Sequence, residues 1–386
     1  MTFHHSHLAY CTNIHPAESW AETWNVLRTQ VLAVRDLLRA RGTLEADEPF
    51  AIGLRLSAVA ARELLVGDHL VAFRDWLAAT NTYVFTINGF PYGSFHGTRV
   101  KEKVFQPDWT EPARIDYTKD LFRILAAIAR PGTGTSVSTL PGSHKSFAAN
   151  EAVIIANLLD MALWLDDLAA ETGHDFHLGL EPEPLGHFEN TAESIAFFHH
   201  LEAAARNPDS VRRRIGLNYD ACHFALEYDS AGASLDALTA AGIRLSKIHL
   251  SSALAFDPRD PVAVDAIRAF DEPTYFHQVL LRDDTGAITR FKDLPDFLTS
   301  VRAASAAEGR VHFHIPLDAE PAPPLRSTRD HAREVLAWCA DKPDACRHFE
   351  IETYTWGVLP ATLQRPVTEQ IAGEYRWVLA QGKDRG

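Results

Sequence analysis

No run of about 18 uncharged apolar residues occurs in this chain, so a membrane-spanning helix is not expected. The opening MTFHHSHLAYCTNIHP lacks the basic-then-apolar pattern of an export signal, and the cytoplasm is the expected compartment. Cysteine is scarce: Cys11, Cys222, Cys339 and Cys346 are the only four in 386 residues and form no C-x-x-C, so reduced thiols are expected. Positive charge is short as well. Lys and Arg number 37 against 51 Asp and Glu, a net −14, which speaks against nucleic acid or an anionic membrane surface as partner. Low-complexity tracts and internal repeats are missing too. His4, His5 and His7 read more readily as a solvated stretch than as a metal tract.

What is present is alternation. Short runs rich in Val, Ile, Leu and Phe are separated by segments of helical period, the pattern of buried parallel strands joined by helices. The runs are 7–14, 50–57, 83–88, 135–140, 176–181, 215–220, 245–250, 311–315 and 349–352. Trp20, Trp24, Leu27, Val31, Val34 and Leu38 form one apolar stripe between Pro16 and Gly42. Helices are also expected over 151–169 after Asn150 and over 192–206 after Thr191. The expected fold is a single (β/α)8 barrel over 1–386. Nine candidates compete for eight strand positions, and 311–315 is the first suspect as the extra one. Residues 89–112 form a Gly/Pro/aromatic loop too long for a plain connector, which reads as a lid. A hairpin around Asp284-Thr285-Gly286 is expected as an insertion over 275–291, and the tail after Gly382 is expected to fray.

In a parallel barrel the active site gathers at the C-terminal ends of the strands. There the chain offers Glu181 in LGLEPEP, Asp220 and His223 in IGLNYDACH, His249 in SKIHLSS and Glu352 in FEIETYTW. Glu183 reads as a solvated loop carboxylate. Asp220 has the alternative of capping the next helix over a packed His223. Glu350 shares a strand face with Glu352, and its place is lower down or in a salt bridge. His312 and His314 in VHFHIPLD share a face, with His314 a reserve ligand. Three carboxylates and one imidazole favour a single divalent ion, Mn²⁺, Mg²⁺ or Co²⁺, and zinc also fits such donors.

These strand-end residues resemble the metal-site pattern of the xylose-isomerase-like barrel superfamily. The resemblance implies Glu181, Asp220, His249 and Glu352 as ligands, with His223 facing the substrate. The endonuclease branch of that group carries extra His ligands on early strands. Here those strand ends hold Asn13 with His15, Arg55 with Ser57, and Asn88, so DNA repair is not implied. The blocks HLAYCTNIHPAESW, IGLRLS, YVFTINGFPYGSFHG, KIHLSSAL and EIETYTWGVLP resemble the EboE family, the metabolite-traffic protein of bacterial ebo gene clusters. That likeness implies secondary-metabolite maturation or transport, a sugar- or cyclitol-like ligand and other ebo-cluster proteins as partners.

The expected activity is therefore a metal-dependent isomerase or epimerase working through a metal-stabilised enediolate. Glu181 and Glu352 would exchange protons, and His223 would bond a substrate hydroxyl. Arg55 would meet a phosphate or carboxylate, a structural ion pair being its alternative, and the loop from Asn88 would help cover and bind the substrate. A non-catalytic metabolite carrier and a metal-dependent phosphoester hydrolase are the other classes. One ion suits isomerisation, and two or three suit hydrolysis.

Overall fold

The computed structural model describes residues 1–94, 96–97, 100–300 and 306–382. The tail expected to fray lies outside them. Eight parallel strands run as β1 (Ser6–Tyr10), β2 (Phe50–Arg55), β3 (Thr82–Asn88), β4 (Thr135–Thr139), β5 (Phe176–Leu180), β6 (Ile215–Asp220), β7 (Arg244–Leu250) and β8 (His348–Ile351). They lie in the order β1-β8-β7-β6-β5-β4-β3-β2, with Thr2–Phe3 folded back antiparallel on β1. The sheet curls until its two edges meet at a parallel bridge between Cys11 and Gly53. Closure there demands glycine, because a Cβ on Gly53 would collide with Tyr10 O and Glu350 Oε1. β1 is shorter than the expected run, since residues Thr12–Ile14 wind into a 3-10 turn.

The helices follow their periods. Trp20–Val26 continues through a π-helical turn at Leu27–Val31 into Leu32–Ala40. Its start is set by Ser19, which forms a capping box with Glu22, and not by Pro16. Leu27, Val31, Val34 and Leu38 are completely buried, which stabilises the fold by roughly 1.5–3 kcal/mol per side chain. Asn150 caps Glu151–Thr172, which ends where Gly173 takes φ 75°. Thr191–Ala204 is capped by Asn190 rather than Thr191, whose hydroxyl donates instead to Asp229.

The ninth candidate is not in the curled sheet. Val311 ends a strand, Ala306–Val311, of a second, five-stranded antiparallel sheet, and residues 312–315 leave it as an irregular segment. That sheet pairs Ile288–Phe291, Val279–Asp283, Ala306–Val311, Leu254–Phe256 and Arg326–Ser327 in this order. The hairpin over 279–291 is thus one part of a larger inserted layer. The layer has its own apolar cluster around Phe256, Val279, Phe297, Val311 and Phe313. It places 312–316 and Tyr275 beside the C-terminal rim of the barrel.

Candidate metal centre

Four strand ends bring Glu181, Asp220, His249 and Glu352 together, with one ligand atom of each lying within 4.8 Å of the others. Each follows from its strand. Asp220 is the last residue of β6 and His249 the penultimate one of β7, while Glu181 and Glu352 directly follow β5 and β8. His249 Nδ1 lies 3.0 Å from Glu181 Oε1, 3.0 Å from Glu352 Oε2 and 3.5 Å from Asp220 Oδ2. A single ring N–H cannot serve three carboxylates, whereas a cation among four donors can.

The other side of the imidazole supports that reading. His249 Nε2 is 2.9 Å from Glu350 Oε2, which also accepts from Lys247 Nζ at 2.6 Å. With one proton held on Nε2 by Glu350, Nδ1 is the nitrogen that would give up its proton to an ion among the three carboxylates, the arrangement by which a carboxylate behind a histidine orients a metal ligand. Glu350 is thus the ion-paired residue deeper in the barrel, completely buried with Lys247.

Asp220 does two things at once. Its Oδ1 caps the following helix, accepting from the backbone N–H of Cys222 and His223 and from the Ser251 hydroxyl. Its Oδ2 is buried with no hydrogen-bond partner among the described residues. A wholly buried carboxylate oxygen with no hydrogen bond, and with His249 Nδ1 no nearer than 3.5 Å, is costly unless a cation meets it more closely. Donor chemistry, the orphaned oxygen and the fixed tautomer therefore all fit a divalent ion. Glu352 is held by the Nδ2 groups of Asn13 and Asn88, each donating to Oε1 at 2.9 Å.

The electrostatics follow from carboxylates crowded in a buried space. Burial pushes Glu352 up to about 7, although His249 opposes the shift. Burial disfavours charge on His249 too, but Glu352 and Glu181 outweigh it and raise the imidazole well above its usual range. Burial would raise Asp220, yet His223 and His314 hold it well below the normal carboxylate value.

His223 stands beside this set, its Nδ1 on Pro182 O at 2.7 Å and its Nε2 3.4 Å from Glu183 Oε2. Glu183 corrects the sequence reading. It is no solvated loop carboxylate, since its side chain is only 17% exposed and faces the cavity, where burial pushes it up to about 8. Pro182 and Pro184 flank it, and its carbonyl accepts from Gly186 N at 2.8 Å, so the loop doubles back over the rim. His312 also lines the cavity, where the sequence singled out only His314 of the pair.

Arg55 is corrected as well. Its guanidinium is turned away from the cavity, onto Glu18 Oε1 at 3.0 Å, Ala17 O at 2.6 Å and Gly93 O at 2.6 Å. It is a structural ion pair, not an anion-binding group. Asn88 does reach the cavity, through Glu352. The space is about 620 Å³ with its open mouth included. Asn13, Asn88, Glu181, Glu183, His223 and Glu352 form a polar part, and Phe90, Val104, Phe105, Tyr275, Phe276 and Tyr354 line the rest. The long loop supplies Phe90, Val104 and Phe105, and Val100 N ties it to the inserted layer by donating to Thr274 O at 3.0 Å. Among the described residues no helix is long and apolar enough to cross a membrane.

No family model matches this chain, and no curated protein does. Solved structures with a similar course of the chain include an L-ribulose 3-epimerase, at 12% identity and a TM-score of 0.49, covering 98% of this chain and 95% of its own. The IOLI protein with a bound zinc atom matches at 12% identity and a TM-score of 0.48, covering 98% of this chain and 99% of its own. The probable 3-DHS dehydratase AsbF of Bacillus anthracis follows at 11% identity and a TM-score of 0.47, covering 97% and 98%.

Proposed function

We propose that the chain is a divalent-metal-dependent isomerase or epimerase acting on an uncharged, sugar- or cyclitol-like carbonyl compound. The observation that carries this reading is the four-residue donor set of Glu181, Asp220, His249 and Glu352 opening into a partly apolar cavity. An ion held there would supply Lewis-acid polarisation of a carbonyl. Glu181 and Glu352, which directly follow β5 and β8, would exchange protons with the carbon next to that carbonyl. Asn13 and Asn88 fix the Glu352 carboxylate for this role, and His223 presents its Nε2 toward the substrate space. The aromatic wall and the described part of the long loop would exclude water from a bound substrate, which would strengthen every charge interaction inside.

The charge of the cavity favours a neutral substrate over a phosphoester. Lys101 is the one Lys or Arg among its described lining residues, and it is already paired with Asp293. With Arg55 engaged elsewhere, a phosphate would meet no free Lys or Arg among the described lining residues, only the divalent ion and His223, whose burial is outweighed by Asp220 and Glu183, which raise it to about 9. The EboE resemblance adds a setting, the maturation or transport of a secondary metabolite beside other ebo-cluster proteins, in the cytoplasm.

The test is solvent exchange. Mn²⁺- or Co²⁺-loaded protein incubated with a panel of ketoses and inososes in D₂O should introduce deuterium next to the carbonyl, read by NMR, and Glu181→Gln should abolish it. No incorporation into any member by metal-loaded protein, with unchanged substrate stereochemistry, contradicts the reading.

A further inference from the structure

The lower end of the barrel, away from the donor set, holds a cavity of about 590 Å³, an ordinary size for a small-molecule site. It is bordered by the turns that lead into β4, β5 and β8 and by the first residues of β7. Its charge runs against that of the chain. In a protein of net −14, Arg212, Arg213, Arg244 and Arg347 line this cavity against the two carboxylates of Asp175 and Asp344.

Each guanidinium already has a partner. Arg212 meets Glu202 at 3.0 Å and Asp209 at 3.2 Å, and Arg213 meets Asp166 at 3.1 Å, from carboxylates outside the lining. Arg244 Nη1 meets Asp175 at 3.3 Å, and Asp175 is shared with Arg214 at 3.1 Å. Arg347 meets Asp344 at 2.7 Å. Arg213 and Arg347 are 51% and 58% exposed and reach their carboxylates through Nη2. Exposed pairs of this kind contribute at most about 1 kcal/mol. A guanidinium carries five N–H donors, so each can take a second anion.

An independent observation points into the same space. His177, the second residue of β5, lines the cavity and is only 4% exposed. Its Nδ1 is buried without a hydrogen-bond partner among the described residues. His348, stacked on it, has both nitrogens met, by the Ser136 hydroxyl and Thr133 O. Burial lowers His177 well below its usual range, and Arg244 adds to the shift. The ring is therefore neutral, in a positive field, with a nitrogen unsatisfied. That is costly unless a ligand supplies the missing partner.

We propose that this lower cavity binds a small phosphate-bearing ligand, gripped by Arg213, Arg244 and Arg347 and accepting the N–H of His177. Guanidinium forks match the geometry of phosphate oxygens, and an anion there offsets the field that the arginines create. The two ends of the barrel thus suit opposite ligands. The lower site stands apart from Glu181, Asp220, His249 and Glu352 and does not rest on the reaction proposed for them.

Isothermal titration of the full-length chain with inorganic pyrophosphate, in metal-free buffer so that no ion competes for the probe, tests this. Saturable binding of one pyrophosphate per chain is expected, with a Kd of about 1 mM or tighter. The double variant Arg213→Gln with Arg347→Gln, changed at exposed side chains, should weaken binding by at least about 10-fold. Glu181→Gln at the other end should leave it unchanged. His177→Phe should weaken it by about 5-fold without lowering the urea midpoint, whereas a merely structural histidine would lose stability and keep the affinity. No saturable binding by the wild type, equal affinity in the double variant, or a loss confined to Glu181→Gln overturns the proposal.

Discussion

At the C-terminal rim of the barrel, His249 sits among Glu181, Asp220 and Glu352, and its imidazole is raised well above its usual range despite burial. At the opposite end, His348 and His177 stack with ring centroids 5.1 Å apart, and burial drives both down, His348 to about 3. The polar partners of His348 are the Ser136 hydroxyl at 2.9 Å and Thr133 O at 3.2 Å. His7 joins that lower group, near Phe85 and hydrogen-bonded to Tyr83 rather than solvated, and is lowered to about 4. Residue type and burial are alike at the two ends. What differs is the carboxylates, so the lower histidines are neutral packing groups and the upper one belongs to the proposed cation site.

The largest separation of the two ends should come from replacing their central imidazoles. His249→Ala should weaken Mn²⁺ binding by more than about 100-fold, as expected for a lost ligand, while His348→Ala leaves it unchanged in the same equilibrium dialysis. Equal losses in both would erase the distinction. Next in size is Glu350→Gln, which removes the group fixing the His249 tautomer and leaves Lys247 buried without its ion pair. It should cost roughly 10–100-fold in metal affinity and about 3 kcal/mol in urea unfolding.

Acid should then expose the lower end. An imidazole whose pKa is depressed by folding binds fewer protons than its unfolded counterpart. Its stabilising contribution is complete above the unfolded value and is lost as pH falls toward the folded one. For His348 the window runs from about 6.5 down to about 3. Wild-type stability should fall by about 2 kcal/mol between pH 7 and pH 5 on this group's account. His348→Leu should flatten that part of a plot of urea midpoint against pH, and an unchanged slope contradicts the neutral-packing assignment. The smallest effect is Arg55→Met. Loss of its bonds to Glu18, Ala17 O and Gly93 O should lower stability by about 1 kcal/mol and leave metal affinity and KM unaltered.

Much of this was legible because strand ends and apolar runs coincide. Eight runs became barrel strands, and Glu181, Asp220, His249 and Glu352 lie within one residue of the rims their runs implied. The extra candidate was rightly suspected, yet the second sheet was visible only as its hairpin. Its other strands, such as AAEGRV over 306–311, are short and polar, with no strong period to read. Glu183 is not legible from sequence because an acidic residue between two prolines looks like solvent-facing loop, and only the fold shows that loop turning inward. Arg55 ends a buried strand as a substrate group would, but the residues that claim it, Ala17, Glu18 and Gly93, are far off in sequence. The spacing of His312 and His314 suggests one strand face, although neither lies in a strand.

Three carboxylates and His249 are proposed to form a site for a divalent ion at one end of the barrel, a role the histidines of the other end do not share. Anomalous diffraction from crystals grown with Mn²⁺ tests it directly. A strong peak is expected within bonding distance of Glu181, Asp220, His249 Nδ1 and Glu352, and none near His7, His177 or His348. A map with no peak among those four residues at saturating Mn²⁺ would contradict it.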